Sequence, residues 1–150
     1  LRNREKPMPS LSLSAASQIA DTALTRARAI DCKPLTVAVL DPGGHLIVLK
    51  REDNSGILRP QIAHAKAWGV LGMGHGGRLL AERAAVAPAF FASLGDISGG
   101  RIAPVPGGVL VRDSHDNLLG AVGISGDTSD VDESCAVFAI ESVGFKAICD

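Results

Sequence analysis

PGGVLVRDSHDNLLGAVGISGDTSDVDE, residues Pro106 to Glu133, is the stretch on which the fold turns. Val109 to Val111 is an apolar run too short for a useful helix, Ser114 to Asn117 supplies turn residues, and Leu118 to Ile124 is a second apolar run, so the phrase predicts a β-hairpin. Beyond it, Ser125, Gly126, Asp127, Thr128, Ser129 and Asp130 set small side chains and open backbone amides beside carboxylates, where strand hands over to helix. A pocket is expected at that junction. Asp130 and Glu133 stand at capping-box spacing, with aspartate in place of the usual Ser or Thr. Asp132 adds negative charge to a first turn that favours it. Cys135, Phe138, Ser142 and Phe145 form one helical stripe, which predicts a final helix running through Phe145 towards the last residues.

Working outward, Leu35 to Leu40 and His45 to Arg51 flank the turn Asp41-Pro42-Gly43-Gly44 and predict a first hairpin. Ahead of it, Ile19, Ala20, Ala23, Ala27 and Ile30 recur at helical spacing after Ser12 or Ser14 as cap, with an end before Pro34. After it, Ile57 to Met73 reads as a second helix whose Gly69 and Gly72 mark close packing or an early end. Arg78 to Leu94 holds a short helix or two broken near Pro88, with Phe90 and Phe91 as anchors. Gly95 to Pro106 reads as a loop, either a lid or binding loop or an interface strap, from which Ile97, Ile102 and Val105 touch the core. Residues 1–10 read as a loose arm and residues 11–150 as one domain. The order α-β-β-α-α-β-β-α predicts an antiparallel sheet of two hairpins covered by helices, a small α+β sandwich.

The chain has 150 residues, enough for one buried core. With 17 glycines and only 3% aromatic residues, packing must rest on backbone against small side chains, which favours close helix contacts and a homo-oligomer. Net charge is −1, from 15 basic and 16 acidic residues, and no basic block exceeds the Arg2 to Lys6 fringe. That argues against a nucleic-acid partner and is compatible with a small anionic ligand. No apolar stretch is long enough for a membrane span, and no secretory h-region is seen. A cytoplasmic location is expected, and a processed exported form would look the same. Cys32, Cys135 and Cys149 form no CxxC and no metal-like spacing with the four histidines, so they read as small buried hydrophobes in a reducing compartment.

The candidate site residues each have two readings. Asp41 either organises its turn or serves a ligand or metal. His45 is a hairpin-pairing or a site histidine. Arg51, beside Asp53, is a solvated edge or a charge partner. His64 and Trp68 share one helical face. Lys66, between Ile62 and Val70, either snorkels or is salt-bridged, or pairs with a ligand carboxylate. GAVGISG lacks the GxGxxG spacing and GMGHGG lacks the Lys-Ser/Thr end of a phosphate loop, so nucleotide readings are weak. No Ser-His-acid motif and no HExxH is present.

Four phrases in order, VAVLDPGGHLIVLKREDNSG at 37–56, AHAKAWG at 63–69, PGGVLVRD at 106–113 and LLGAVGISGDTSDVDE at 118–133, resemble the GlcG/HbpS-like family. That group binds or degrades haem and also resembles the C-terminal domain of PduO-type proteins. The resemblance implies a profilin-like sandwich, a symmetric homo-oligomer and haem as cofactor. It points to Asp41, Arg51, Lys66, Gly107, Gly108, Gly123, Ser125, Gly126 and Asp132 as family-like positions. It places no haem ligand, which leaves His45, His64, His75 and His115 as candidates by imidazole chemistry.

Three functions follow as expectations. One is a small-ligand-binding protein, with Asp41, His45, Arg51, Lys66, Gly107, Gly108, Ser125, Gly126 and Asp132 around haem or another small anion. A second is an isomerase or lyase of a small carboxylated catabolic intermediate. There Lys66 or His64 is the base, Arg51 holds the carboxylate and amides near Ser125 stabilise an enolate. A third is a noncatalytic accessory subunit. A divalent metal held by His and carboxylate groups is compatible with the first two.

Overall fold

The structure, a computed structural model, describes residues 8–150. Seven of the ten residues read as an N-terminal arm therefore lie outside the described residues. Ser12 caps α1 (Leu13–Ala29), its hydroxyl accepting from the Ala15 amide at 3.0 Å. Ile19, Ala20, Ala23 and Ala27 form the buried stripe of α1, as the spacing predicts. A hairpin of β1 (Thr36–Leu40) and β2 (Leu46–Arg51) comes next. It leads into α2 (Arg59–Met73), which ends on Gly74 at φ 74°, and then α3 (Gly77–Val86) and α4 (Pro88–Ile97). The second hairpin, β3 (Gly108–Arg112) and β4 (Leu118–Ser125), feeds α5 (Ser129–Ser142).

Two expectations for the last helix are corrected. Its cap is Thr128, which accepts from the Val131 amide, so Asp130 lies inside the first turn instead of capping it. The helix also stops at Ser142 rather than passing through Phe145. Gly144 at φ 88° turns the chain, and Lys146–Ile148 pairs antiparallel with β3 as β5. The apparent stripe fails because Phe138 faces outward and is 42% exposed. Two smaller expectations also change: Phe91 is buried while Phe90 is 53% exposed, and Ile97 ends α4 at 76% exposed.

The sheet is antiparallel with order β2-β1-β4-β3-β5, a five-stranded profilin-like α+β arrangement with helices on both faces. Strand alternation sorts the side chains. Val37, Val39, Val109, Val111, Val122 and Ile124 pack with the buried residues of α1 and α5. Leu40, Leu110 and Ala121 pack with α2, α3 and α4. Gly108 and Gly123 are cross-strand partners on this second face, and a Cβ on either would collide with the α2 carbonyls of Lys66 and Ala63. Two missing side chains thus let α2 lie against the strand backbone, and that close approach places Lys66 and His64.

Candidate functional site

The expected ligand residues divide between the two ends of β1. At the Thr36 end, Lys66 is 3% exposed and its Nζ donates to Asp132 Oδ2 at 2.9 Å. The two groups come from opposite helical layers, α2 and α5. They meet because Gly107, at φ 109°, leaves its Cβ position empty: an added Cβ would sit 2.8 Å from Lys66 Nζ and 3.2 Å from Asp132 Cβ. Asp132 Oδ1 also accepts from the Asp127 amide at 3.0 Å. Burial pushes the Asp132 carboxyl up, against the pull of Lys66 and of that amide.

Beside this pair lies a polar cluster, buried at Thr36, Ser55 and Ser125 and exposed at Arg51, which lines an open surface cavity of about 510 Å³ with Glu52 and Asp53. Arg59 Nη1 donates to Ser125 Oγ at 3.0 Å, the Thr36 and Ser55 hydroxyls share a hydrogen bond at 2.8 Å, and Arg51 Nη1 donates to the Ser55 carbonyl at 2.6 Å. Thr36 is the cross-strand partner of both Arg51 and Ser125, which explains why residues so far apart in sequence converge. Gly126 fits tightly against Leu35, and a Cβ there would collide with the Pro34 carbonyl. Ser125 and Gly126 are buried and line none of the principal cavities.

Asp41 and His45 lie just past the other end of β1, with Asp41 roughly 16 Å along the strand from Thr36 at about 3.3 Å per residue. Asp41 Oδ1 accepts from the amides of Gly43 and His45, both at 2.9 Å, and from His45 Nδ1 at 3.1 Å. This is an Asx-type turn. His75 is half-buried and His115 exposed, so the structure does not gather the four histidines at one site.

An open groove lies between β2, the start of α2 and the loop after α4. Its volume is about 330 Å³, within the usual range for ligand pockets of roughly 300–1,000 Å³. Leu46, Leu49 and Pro60 make apolar walls, Gly99 and Gly100 leave one side open, and His64 and Arg101 supply the chemistry. Partial burial, and secondarily the Arg101 charge, hold the His64 pKa below its ordinary value. The imidazole is therefore neutral at physiological pH, with a lone pair for a metal or a proton. His64 and Trp68 do share a face, as their spacing predicts, and Arg101 joins them by lying 4.3 Å over the indole.

Arg101, Leu46 and Leu49 were not among the residues singled out from sequence. The Gly99-Gly100-Arg101 phrase inside the expected binding loop was the available signal. Among the described residues, no group of three or more His, Cys, Asp or Glu side chains is placed to hold a metal ion, and no helix is long and apolar enough to cross a membrane.

The model of the family described as haem degrading protein HbpS-like matches residues 11–141. The chain belongs to the HbpS-like family. Solved structures agree with the assignment. A double mutant of Streptomyces reticuli HbpS is 26% identical, with a TM-score of 0.80, covering 96% of this chain and 94% of that one. Klebsiella pneumoniae protein ORFY is 27% identical with a TM-score of 0.80 and coverage of 95% and 97%. PduOC, solved as a heme complex, is 24% identical with a TM-score of 0.81 and coverage of 91% and 96%, a likeness of fold. No curated protein sequence matches the chain. Within this HbpS-like fold, Gly108 and Gly123 seat α2 and Gly107 admits Lys66 to Asp132, while Gly126 packs against Leu35.

Proposed function

We propose that this HbpS-like chain binds a planar iron macrocycle of haem type in the groove, with His64 as the residue that offers nitrogen to the iron. One observation carries the proposal: His64 lines an apolar-walled groove that contains no carboxylate to compete for its ring nitrogen. Haem supplies a redox-active iron whose affinity for imidazole suits that wall. The chemistry of the lining fits the group: aliphatic side chains for the macrocycle, a nitrogen donor for the metal and one cation for an acidic periphery. The family description and the heme held by PduOC point the same way.

Proton transfer by Lys66 is the weaker reading, because that ammonium is closed into an ion pair and lines no principal cavity. In the binding reading, Lys66, Asp132, Gly107 and Gly108 hold α2 in place and thereby fix the groove. Self-association belongs to the same proposal. Val86 at 86% exposed and Phe90 at 53% leave an apolar face on α3 and α4 that a second subunit would cover. A light-scattering mass of a single chain removes that part.

Titration of the purified protein with haemin tests the site. Wild type is expected to give a stoichiometric Soret shift, His64→Ala to abolish it, and His45→Ala, His75→Ala and His115→Ala to retain it. A wild-type protein without any Soret change would sink the proposal. Loss in one of the other three variants instead would move the iron ligand away from the groove.

A further inference from the structure

Arg101 is the one permanently charged group in the groove wall, and its surroundings leave its ends unused. Its backbone is fixed. The chain leaves α4 through Gly99 at φ 65° and Gly100 at φ 80°, closed by the Gly100 amide on the Gly95 carbonyl at 2.7 Å. The buried Ser98 hydroxyl accepts from the Arg101 amide at 3.1 Å. The side chain is anchored once, with Nε donating to the Ser98 carbonyl at 2.7 Å. Among the described residues neither terminal nitrogen donates to a protein acceptor, and Arg101 forms no ion pair with a carboxylate. The guanidinium instead lies on the face of Trp68, and its charge reaches His64.

We infer that Arg101 is the carboxylate clamp of the groove, parked on Trp68 until a flat, apolar-bodied carboxylate arrives and takes its terminal nitrogens. The inference rests on the groove reading above and deepens it by fixing the ligand's class and the residue that selects it. An exposed guanidinium-indole contact is weak, whereas a guanidinium-carboxylate pair gains two parallel charge-assisted hydrogen bonds. The exchange therefore runs towards the ligand. A neutral ligand of the same shape gains the apolar walls and nothing from Arg101. His64 and Arg101 face one space, so a ligand whose body meets the imidazole can present its acidic edge to the guanidinium. Lysine at position 101 would keep the charge but lose the planar fork.

Metal-free protoporphyrin IX and its dimethyl ester separate the clamp from the iron and from the walls. Wild-type protein is expected to bind the diacid about tenfold more tightly than the ester, the loss that follows from one missing charge-assisted pair. Arg101→Gln should remove that preference with the ester's Kd changed less than about twofold, and Arg101→Lys should restore part of it. A preference that survives in Arg101→Gln overturns the clamp. Equal binding of acid and ester by wild type also overturns it while leaving the groove reading intact; binding of neither overturns the clamp, and the haemin titration alone decides the groove reading. Trp68 is the chain's only tryptophan, so its emission reports the parked state directly. Ligand-free Arg101→Gln is expected to emit differently from wild type, and unchanged emission overturns the parking of the guanidinium on the indole.

Discussion

Lys66 and His64 stand two residues apart on α2 and have opposite fates. Two residues turn a helix by about 200°, so one side chain faces the sheet and the other faces away. Lys66 passes over the empty position at Gly107 and ends on Asp132, closed to solvent. His64 ends in a groove where its imidazole stays neutral and its neighbour Arg101 has donors to spare. A lysine in an apolar helix attracts attention as a base, yet here it joins α2 to α5 across the end of the sheet. The histidine beside it carries the accessible chemistry. Charge placed where no ligand can arrive is architecture, and less conspicuous groups on the rim are left for binding.

Breaking the closed end should have the largest effect. Asp132→Ala leaves the Lys66 ammonium buried without a partner, and urea denaturation is expected to show a loss of about 3–5 kcal/mol. Lys66→Met combined with Asp132→Leu removes both charges together and should recover most of that stability. If the single variant lost less than about 1 kcal/mol, the pair would not be the staple described, since an orphaned buried charge costs more than that. Both variants, once folded, test the division of labour: the double variant should still shift the Soret band of haemin.

A smaller effect sharpens the other half of the comparison. The His64 pKa is depressed in the folded protein, by burial first and by Arg101 second. Protons therefore bind the unfolded chain more readily as pH falls below the ordinary histidine value of about 6.5. His64 thus adds stability above that value, and the contribution is lost as pH falls towards the lower folded pKa. Imidazole ligation should follow the same window, so the Soret band of the haemin complex is expected to persist below pH 6.5 and to vanish further down. Arg101→Gln removes the secondary cause and should shift that loss to higher pH. A midpoint unmoved by the substitution would mean that Arg101 and His64 do not share the groove electrically.

The hairpins were readable because their apolar runs and turn residues coincide with the strands, and the Asp41 turn, the Ser12 cap and the α1 stripe follow from local spacing alone. The fifth strand was not. Lys146–Ile148 is short and lies directly after a helix, and only its pairing with β3 makes it a strand. Phe138 and Phe145 fell on a helical period, but no residue count reveals that Gly144 ends the helix between them. At the site, the His64-Trp68 face was legible from a spacing of four. Arg101 was not, because its nearness to both depends on how the loop after α4 returns to the start of α2. The Lys66-Asp132 contact was likewise hidden, since it depends on a glycine that admits one side chain past another.

The smallest expected effect concerns the turn at the far end of β1, where a candidate ligand pair is occupied with its own backbone. Partial burial nudges the Asp41 carboxyl up, but hydrogen bonds from His45 and Gly43 outweigh it and leave the pKa below the ordinary value. Ionised Asp41 therefore stabilises the fold above about pH 4, and that contribution fades as pH falls through the lower folded value. Asp41→Ala should cost about 1 kcal/mol at pH 7, the net worth of a hydrogen-bonded turn carboxylate, and close to nothing once both states are protonated. Thermal melts of the two proteins at neutral and strongly acidic pH measure the difference. Haemin affinity should be unchanged, because Asp41 and His45 lie outside the residues that line the groove. A large loss of haemin binding in a variant that melts nearly as wild type would place the ligand at the β1–β2 turn, and would make the groove at His64 the structural end and the turn the functional one.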